Sequence, residues 1–200
     1  MPTAFQQELV TLAHRLADLC GLVAMACEEA TRAALESDLT LGGRAREQAA
    51  AAAALGAACE DQACALLALH APREEDVKAV VAAVHTAADL TRMGGLAREV
   101  AQARRPVPSA ARPVLARLAS DSVAVARALG ELLAGGDGSG LDEAVALATA
   151  AGRELRAWAG RCEWPGAAID VVLLGEVYDR FARIAVGIAR RTAGFAVVGA

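Results

Sequence analysis

The stretch "AADLTRMGGLAREVA", residues 87–101, decides how the chain is read. Leu90, Met93, Leu96, Ala97 and Val100 recur three or four apart, the spacing of one helical face. Two adjacent glycines, Gly94 and Gly95, interrupt that helix, and each costs a helix interior roughly 1 kcal/mol relative to alanine. A helix that keeps its apolar face around two glycines offers bare backbone, against which another helix can pack closely.

The same spacing extends outward in both directions. Phe5, Leu9, Leu12, Leu16, Leu19 and Val23 repeat at 4, 3, 4, 3, 4 and predict a first helix reaching about Leu35. A second helix is expected from near Asp38 to Leu69, through an alanine tract at residues 49–59. "HAPREED" then punctuates the chain. Pro72 suits a first helical turn, and Glu74, Glu75 and Asp76 suit its positive dipole end. The third helix ends before "RRPVPS", residues 104–109. Beyond that linker the spacing predicts helices over about Ala110–Ala134, from the "GGDGSG" loop to about Arg161, and over about Ala167–Thr192. Ser139 and Asp142 have the spacing of a capping box at the fifth helix. Trp158 and Trp164 flank the end of that helix and read as packing anchors.

Three helices, a proline linker and three more helices suggest an internal repeat. "LTRMGGLAREVA" (90–101) aligns with "YDRFARIAVGIA" (178–189) at an offset of 88: Arg92 with Arg180, Met93 with Phe181, Leu96 with Ile184, Ala97 with Ala185, and Val100 with Ile188. Gly94 and Gly95 face Ala182 and Arg183. The expected fold is all-α: two tandem three-helix bundles related by internal pseudo-symmetry, residues 1–104 and 105–200.

Composition excludes several classes of function. Aromatics are 3% of residues, and the net charge is −4. The basic runs stop at the pairs Arg104-Arg105 and Arg190-Arg191, so no nucleic-acid surface is expected. Charges interrupt every apolar run before the about eighteen residues of a membrane span, so no membrane insertion is expected. "MPTAFQQELV" lacks the features of a signal peptide, which points to the cytoplasm. The five cysteines, Cys20, Cys27, Cys59, Cys64 and Cys162, are odd in number and lack paired spacing; they read as buried reduced thiols. His14, His70 and His85 have no metal-ligand spacing, and His85 reads as a core histidine. No nucleophile elbow, phosphate loop or dinucleotide fingerprint occurs, so no enzyme is expected.

Residues 66–97, "LLALHAPREEDVKAVVAAVHTAADLTRMGGLA", resemble the PhoU family of phosphate-signalling proteins in its actinobacterial form. They are similar to its pattern of an apolar run, a proline, D-L-R and an E-R-[IM]-G-D or E-R-M-G-G segment. Residues 168–191 resemble the second copy, Y-E-R-[FI]-[GA]-D-H-A, and "ATRAALESDL" (30–39) suits the junction of the first two helices. The resemblance covers nearly the whole chain. It implies two three-helix bundles, often dimeric, in a cytosolic negative regulator that connects a phosphate ABC importer's ATPase with a sensor histidine kinase.

The family also implies metal clusters on the acids of its E-R-x-x-D helices. Carboxylates four apart on a helix share a face and can share a hard cation. Here Thr91 and Gly95 stand in place of both acids of the first copy. The second copy keeps Asp179 but places Arg183 where the other acid belongs. No cofactor is therefore expected; Asp76, Asp170 and Asp179 are the candidates for weak divalent or iron binding, with Asp89 near a further acid position. Each has a plain structural role: Asp76 at a helix start, Asp89 three before Arg92, Asp170 near the last helix's start. Glu176–Arg180 and Asp179–Arg183 form i, i+4 pairs. Gly94 and Gly95 then read either as close helix contact or as drift after metal loss. Two rival readings are a metal-binding bundle using the remaining acids, and a diverged paralogue with another transporter or kinase partner, suggested by Thr91, Gly95 and Arg183. An alanine-rich exposed face would suit a homodimer and a monomer's core alike.

Overall fold

The computed structural model describes residues 3–70, 73–103 and 105–192; Pro72 and Arg104 lie outside them. Six helices account for the architecture: α1 (Ala4–Glu36), α2 (Leu39–Leu69), α3 (Glu74–Ala101), α4 (Arg112–Leu133), α5 (Ser139–Ala159) and α6 (Pro165–Thr192). No strand occurs among the described residues.

Local chemistry sets the ends. Thr3 and Gln6 form a reciprocal capping box at the start of α1. Ser37 turns the chain in the left-handed region, at φ 58°, and the Asp38 carboxylate then accepts the N–H groups of Thr40 (2.7 Å) and Leu41 (3.2 Å) to open α2. At α5 the cap differs from the expected one. Gly138, at φ +65°, occupies the cap position, Ser139 is the first helical residue, and Asp137 accepts the Ser139 N–H at 3.0 Å. The serine lies one residue too late to cap.

Packing then assembles the bundle. The α1 stripe from Phe5 to Val23 is buried throughout. On α2 the buried residues Ala45, Ala49, Ala52, Gly56, Cys59, Ala63 and Leu66 alternate at 4 and 3, a heptad seam made almost wholly of small side chains. Small residues let helix backbones approach: a Cβ at Gly56 would overlap Thr91 Oγ1, and one at Gly94 would meet the Ala52 Cβ at 3.4 Å. Helices α1, α2 and α3 pack on one another, as do α4, α5 and α6. The two sets meet through α1 on α4 and α3 on α6, and one apolar cluster runs through both. At the first meeting a Cβ on Gly130 would come 3.2 Å from that of Cys20. Tyr178 of α6 also reaches Thr31 near the end of α1, 2.5 Å apart, both buried.

Most of the aligned repeat positions share their environments, but buried Leu96 faces half-buried Ile184, and half-buried Gly95 faces exposed Arg183. Met93 and Phe181, Ala97 and Ala185, and Val100 and Ile188 are all buried, and Gly94 is matched by buried Ala182.

Three further expectations fail here. His85 is exposed, one position round the helix from fully buried Thr86. Trp158 packs partly against the core, but Trp164 is 74% exposed beyond the end of α5. Cys64 is exposed and Cys162 half-buried, while Cys20, Cys27 and Cys59 are buried. Charges do fall inside every long apolar stretch, yet α1 and α2 each hold an 18-residue window apolar enough by mean hydropathy to cross a membrane, with up to two charges in it and alanine raising the mean. A core helix of an alanine-rich bundle passes the same test, and α1 contacts α2, α3 and α4.

Candidate functional site

Of the residues singled out in the two repeats, Asp89 and Arg180 meet partners across the seam between α3 and α6, whereas Thr91 and Gly94 face α2. The helices run antiparallel there, with Asp89 opposite Arg191 and Glu99 opposite Arg180. The Arg180 guanidinium donates to Glu99 at 2.7 Å. Asp89, whose side chain is 14% exposed, accepts from Arg191 and lies 3.3 Å from Arg92 on its own helix. Arg183 stands 3.7 Å from the Asp179 carboxylate, the expected i, i+4 pair.

The other expected pair is not made. Glu176 reaches across to Arg156 of α5 at 3.5 Å, which leaves Arg180 free to bridge to α3. Inter-helix partners sit directly opposite at this crossing, whereas the i, i+4 partner would draw both side chains along one helix. These cross-helix partners are residues that spacing within one helix does not reveal.

The candidate metal ligands do not converge. Asp76, buried at the start of α3, accepts the Arg73 backbone N–H at 3.2 Å and its Nε at 3.3 Å. Asp170 pairs with Arg105 of the linker at 3.1 Å. Asp179 is held by Arg183. Each carboxylate thus faces its own guanidinium, and among the described residues no three His, Cys, Asp or Glu side chains gather where one ion could bind them. The donor set does not fit a metal cluster, since Arg183 and Gly95 occupy the ligand positions that the motif requires.

Of the paired glycines, Gly94 is buried and sits against Ala49 and Ala52 of α2. Gly95 is half-buried, and a Cβ there would meet nothing within 4 Å. Close helix contact accounts for the first and not for the second.

Comparison with known proteins places the chain in context. Residues 16–103 match the family model described as the PhoU domain. The chain is 36% identical over 203 aligned residues to the phosphate-specific transport system accessory protein PhoU homolog 2 of Mycobacterium tuberculosis, spanning 96% of this chain and 95% of that one. It is 35% identical to PhoU homolog 1 of Mycobacterium leprae, over 96% and 91% of the two chains. Its fold matches the crystal structure of PhoU from Pseudomonas aeruginosa with a TM-score of 0.79 at 20% identity, covering 98% of this chain and all of that one.

Proposed function

Since the chain belongs to the PhoU family, we propose that it is a non-enzymatic cytoplasmic regulator of phosphate uptake and phosphate-starvation signalling. It links a phosphate ABC importer's ATPase to a sensor histidine kinase and biases the kinase against signalling while phosphate is ample. Residues 1–104 and 105–200 act as two PhoU-like repeats, each offering a helical face, and a homodimer would double those faces.

The observation that carries this reading is the end-to-end likeness to a mycobacterial phosphate-transport accessory protein. A likeness over nearly the whole of both chains supports a shared role better than a shared domain would. The seam supports action through contacts: its carboxylates are engaged by arginines rather than set up to ligate or transfer protons.

The test is affinity capture from native lysate with tagged protein, after growth in high and in low phosphate. Recovery of the importer ATPase or the kinase, in a yield that follows phosphate, is the expected result. Reproducible recovery of an unrelated transporter or kinase would favour the paralogue reading, which the loss of the acids at Thr91, Gly95 and Arg183 motivates. Stoichiometric metal in the purified protein would instead favour the metal-binding bundle.

A further inference from the structure

Beside its buried seam, α2 carries a second one. One position after each buried residue, Arg46, Ala50, Ala53, Ala57, Glu60 and Cys64 repeat at 4, 3, 4, 3, 4. Glu60 is half-buried and the other five are exposed. The helix is apolar enough over 18 residues to cross a membrane, yet only 28% of that window is buried inside the chain. Helices α1 and α3 pack on its other sides and leave this seam facing outward.

The charges at the two ends of the seam are unpaired. Arg46 at its start, and Glu60 with exposed Asp61 towards its end, make no ion pair among the described residues. Nor does exposed Arg98 of α3, which the approach of Gly42 to Ala101 and of Gly94 to Ala49 sets level with Arg46. Glu47 is exposed as well, but it lies about 100° round α2 from Arg46, on the side away from α3. One end of the seam is thus basic, the other acidic, and the middle is alanine.

We propose that two copies of this chain pair through this seam, α2 against α2, in antiparallel register about Ala53 and Ala54. The proposal gives the homodimer of the reading above its face, and rests on that reading. A two-fold axis at those alanines carries Arg46 of each copy to Glu60 and Asp61 of the other, so one contact is made twice. Arg98 adds a second cation at each end. Parallel pairing would instead set like charge on like charge. A second copy meets this charge order by symmetry, whereas any other partner has to supply it independently. Alanine along the contact keeps the helix axes at the short end of about 8–10 Å. From Arg46 to Cys64 the seam is about 27 Å long. With the edge of α3 beside it, where Gly95 leaves the surface low, each copy covers about 500 Å². The pair then buries about 1,000 Å², the lower bound of a specific interface, so the dimer is weak and concentration-dependent.

Sedimentation velocity of the full chain, from about 1 μM to about 500 μM, is expected to show the mass rising from 20.4 kDa toward twice that value. Arg46→Glu should weaken association about tenfold, and so should the double variant Glu60→Arg/Asp61→Arg. An equimolar mixture of the two should associate as well as wild type, because both contacts of the mixed pair are again between opposite charges. Ala53→Cys should cross-link between copies on mild oxidation. Native Cys64, about 30 Å from its counterpart in this register, should not. A chain that stays monomeric throughout overturns the proposal together with the homodimer, even if the reversals change which proteins are captured from lysate. A dimer indifferent to the reversals, or one that cross-links through Cys64, overturns this face and leaves the homodimer standing. If the mixture regains association while lysate capture yields no phosphate-dependent partner, the face stands and the assigned pathway falls.

Discussion

At Thr31 the direction of each hydrogen bond follows from the donor count. Its hydroxyl proton goes to the Cys27 carbonyl at 2.8 Å, so the Tyr178 hydroxyl must donate to the Thr31 oxygen. Removing the two partners is then unequal. Tyr178→Phe deletes a donor and should cost about 1 kcal/mol, while Thr31→Val strands a buried hydroxyl and should cost about 1–3 kcal/mol. Urea denaturation of both variants and the double variant checks this, with the double variant less destabilised than the sum. Burial pushes the Cys20 and Cys27 thiols up from the ordinary 9.0 to about 12, and raises the Tyr178 phenol too. A raised folded value means that the unfolded chain releases its protons first. The stability these groups contribute is whole below pH 9 and drains away between 9.0 and about 12. Melting should accordingly show Tm falling from about pH 9 upward, most of it spared in a Cys20→Ala/Cys27→Ala background. In the native state a thiol reagent near neutral pH should label Cys64 and Cys162 and spare Cys20, Cys27 and Cys59. Burial of these thiols was only partly legible in the sequence, because a cysteine in a helix of alanines looks the same on either face.

The element that best shows the limit of sequence reading is α2. Its helicity is plain, yet its faces are not, because alanine occupies buried Ala49 and Ala52 and exposed Ala51 and Ala53 alike. The seam emerges only when α3 supplies its bulky and missing side chains opposite. Enlarging one position on each face separates them: Ala52→Leu should cost about 1–3 kcal/mol by overpacking against Gly94. Ala53→Leu should stay within about 0.5 kcal/mol. Thermal melts of the two variants measure the difference. In α1, by contrast, large residues mark the buried stripe, and all six positions from Phe5 to Val23 were readable from spacing. The cross-helix partners of Glu176 and Arg180 were not, since no local rule reports which helix lies opposite.

Across the whole molecule the all-α class and the six helices could be read from periodicity and from the proline and glycine breaks. Helix ends moved by one to a few residues. The pairing of α1 with α4 and α3 with α6 was less accessible, because no spacing within one helix reports which helix will lie opposite. The candidate acids were found, but their guanidinium partners lie up to 102 residues away in sequence, as Arg191 does from Asp89. With those pairs intact, exhaustive chelation should leave Tm unchanged and salt should lower it only slightly, a comparison that one differential scanning experiment makes.

The hydrogen bond from Tyr178 to Thr31 closes a separation of 147 residues. Synthesis runs from the N-terminus, so α1 is complete long before the helix that supplies its innermost polar partner exists. The first three helices can collapse on one another while the ribosome is still extending the chain, but the Thr31 hydroxyl stays without its Tyr178 donor until α6 emerges. Contacts this distant in sequence are slow to form. A nascent chain stalled before Tyr178 thus cannot satisfy Thr31 from α6, however closely its first three helices have packed.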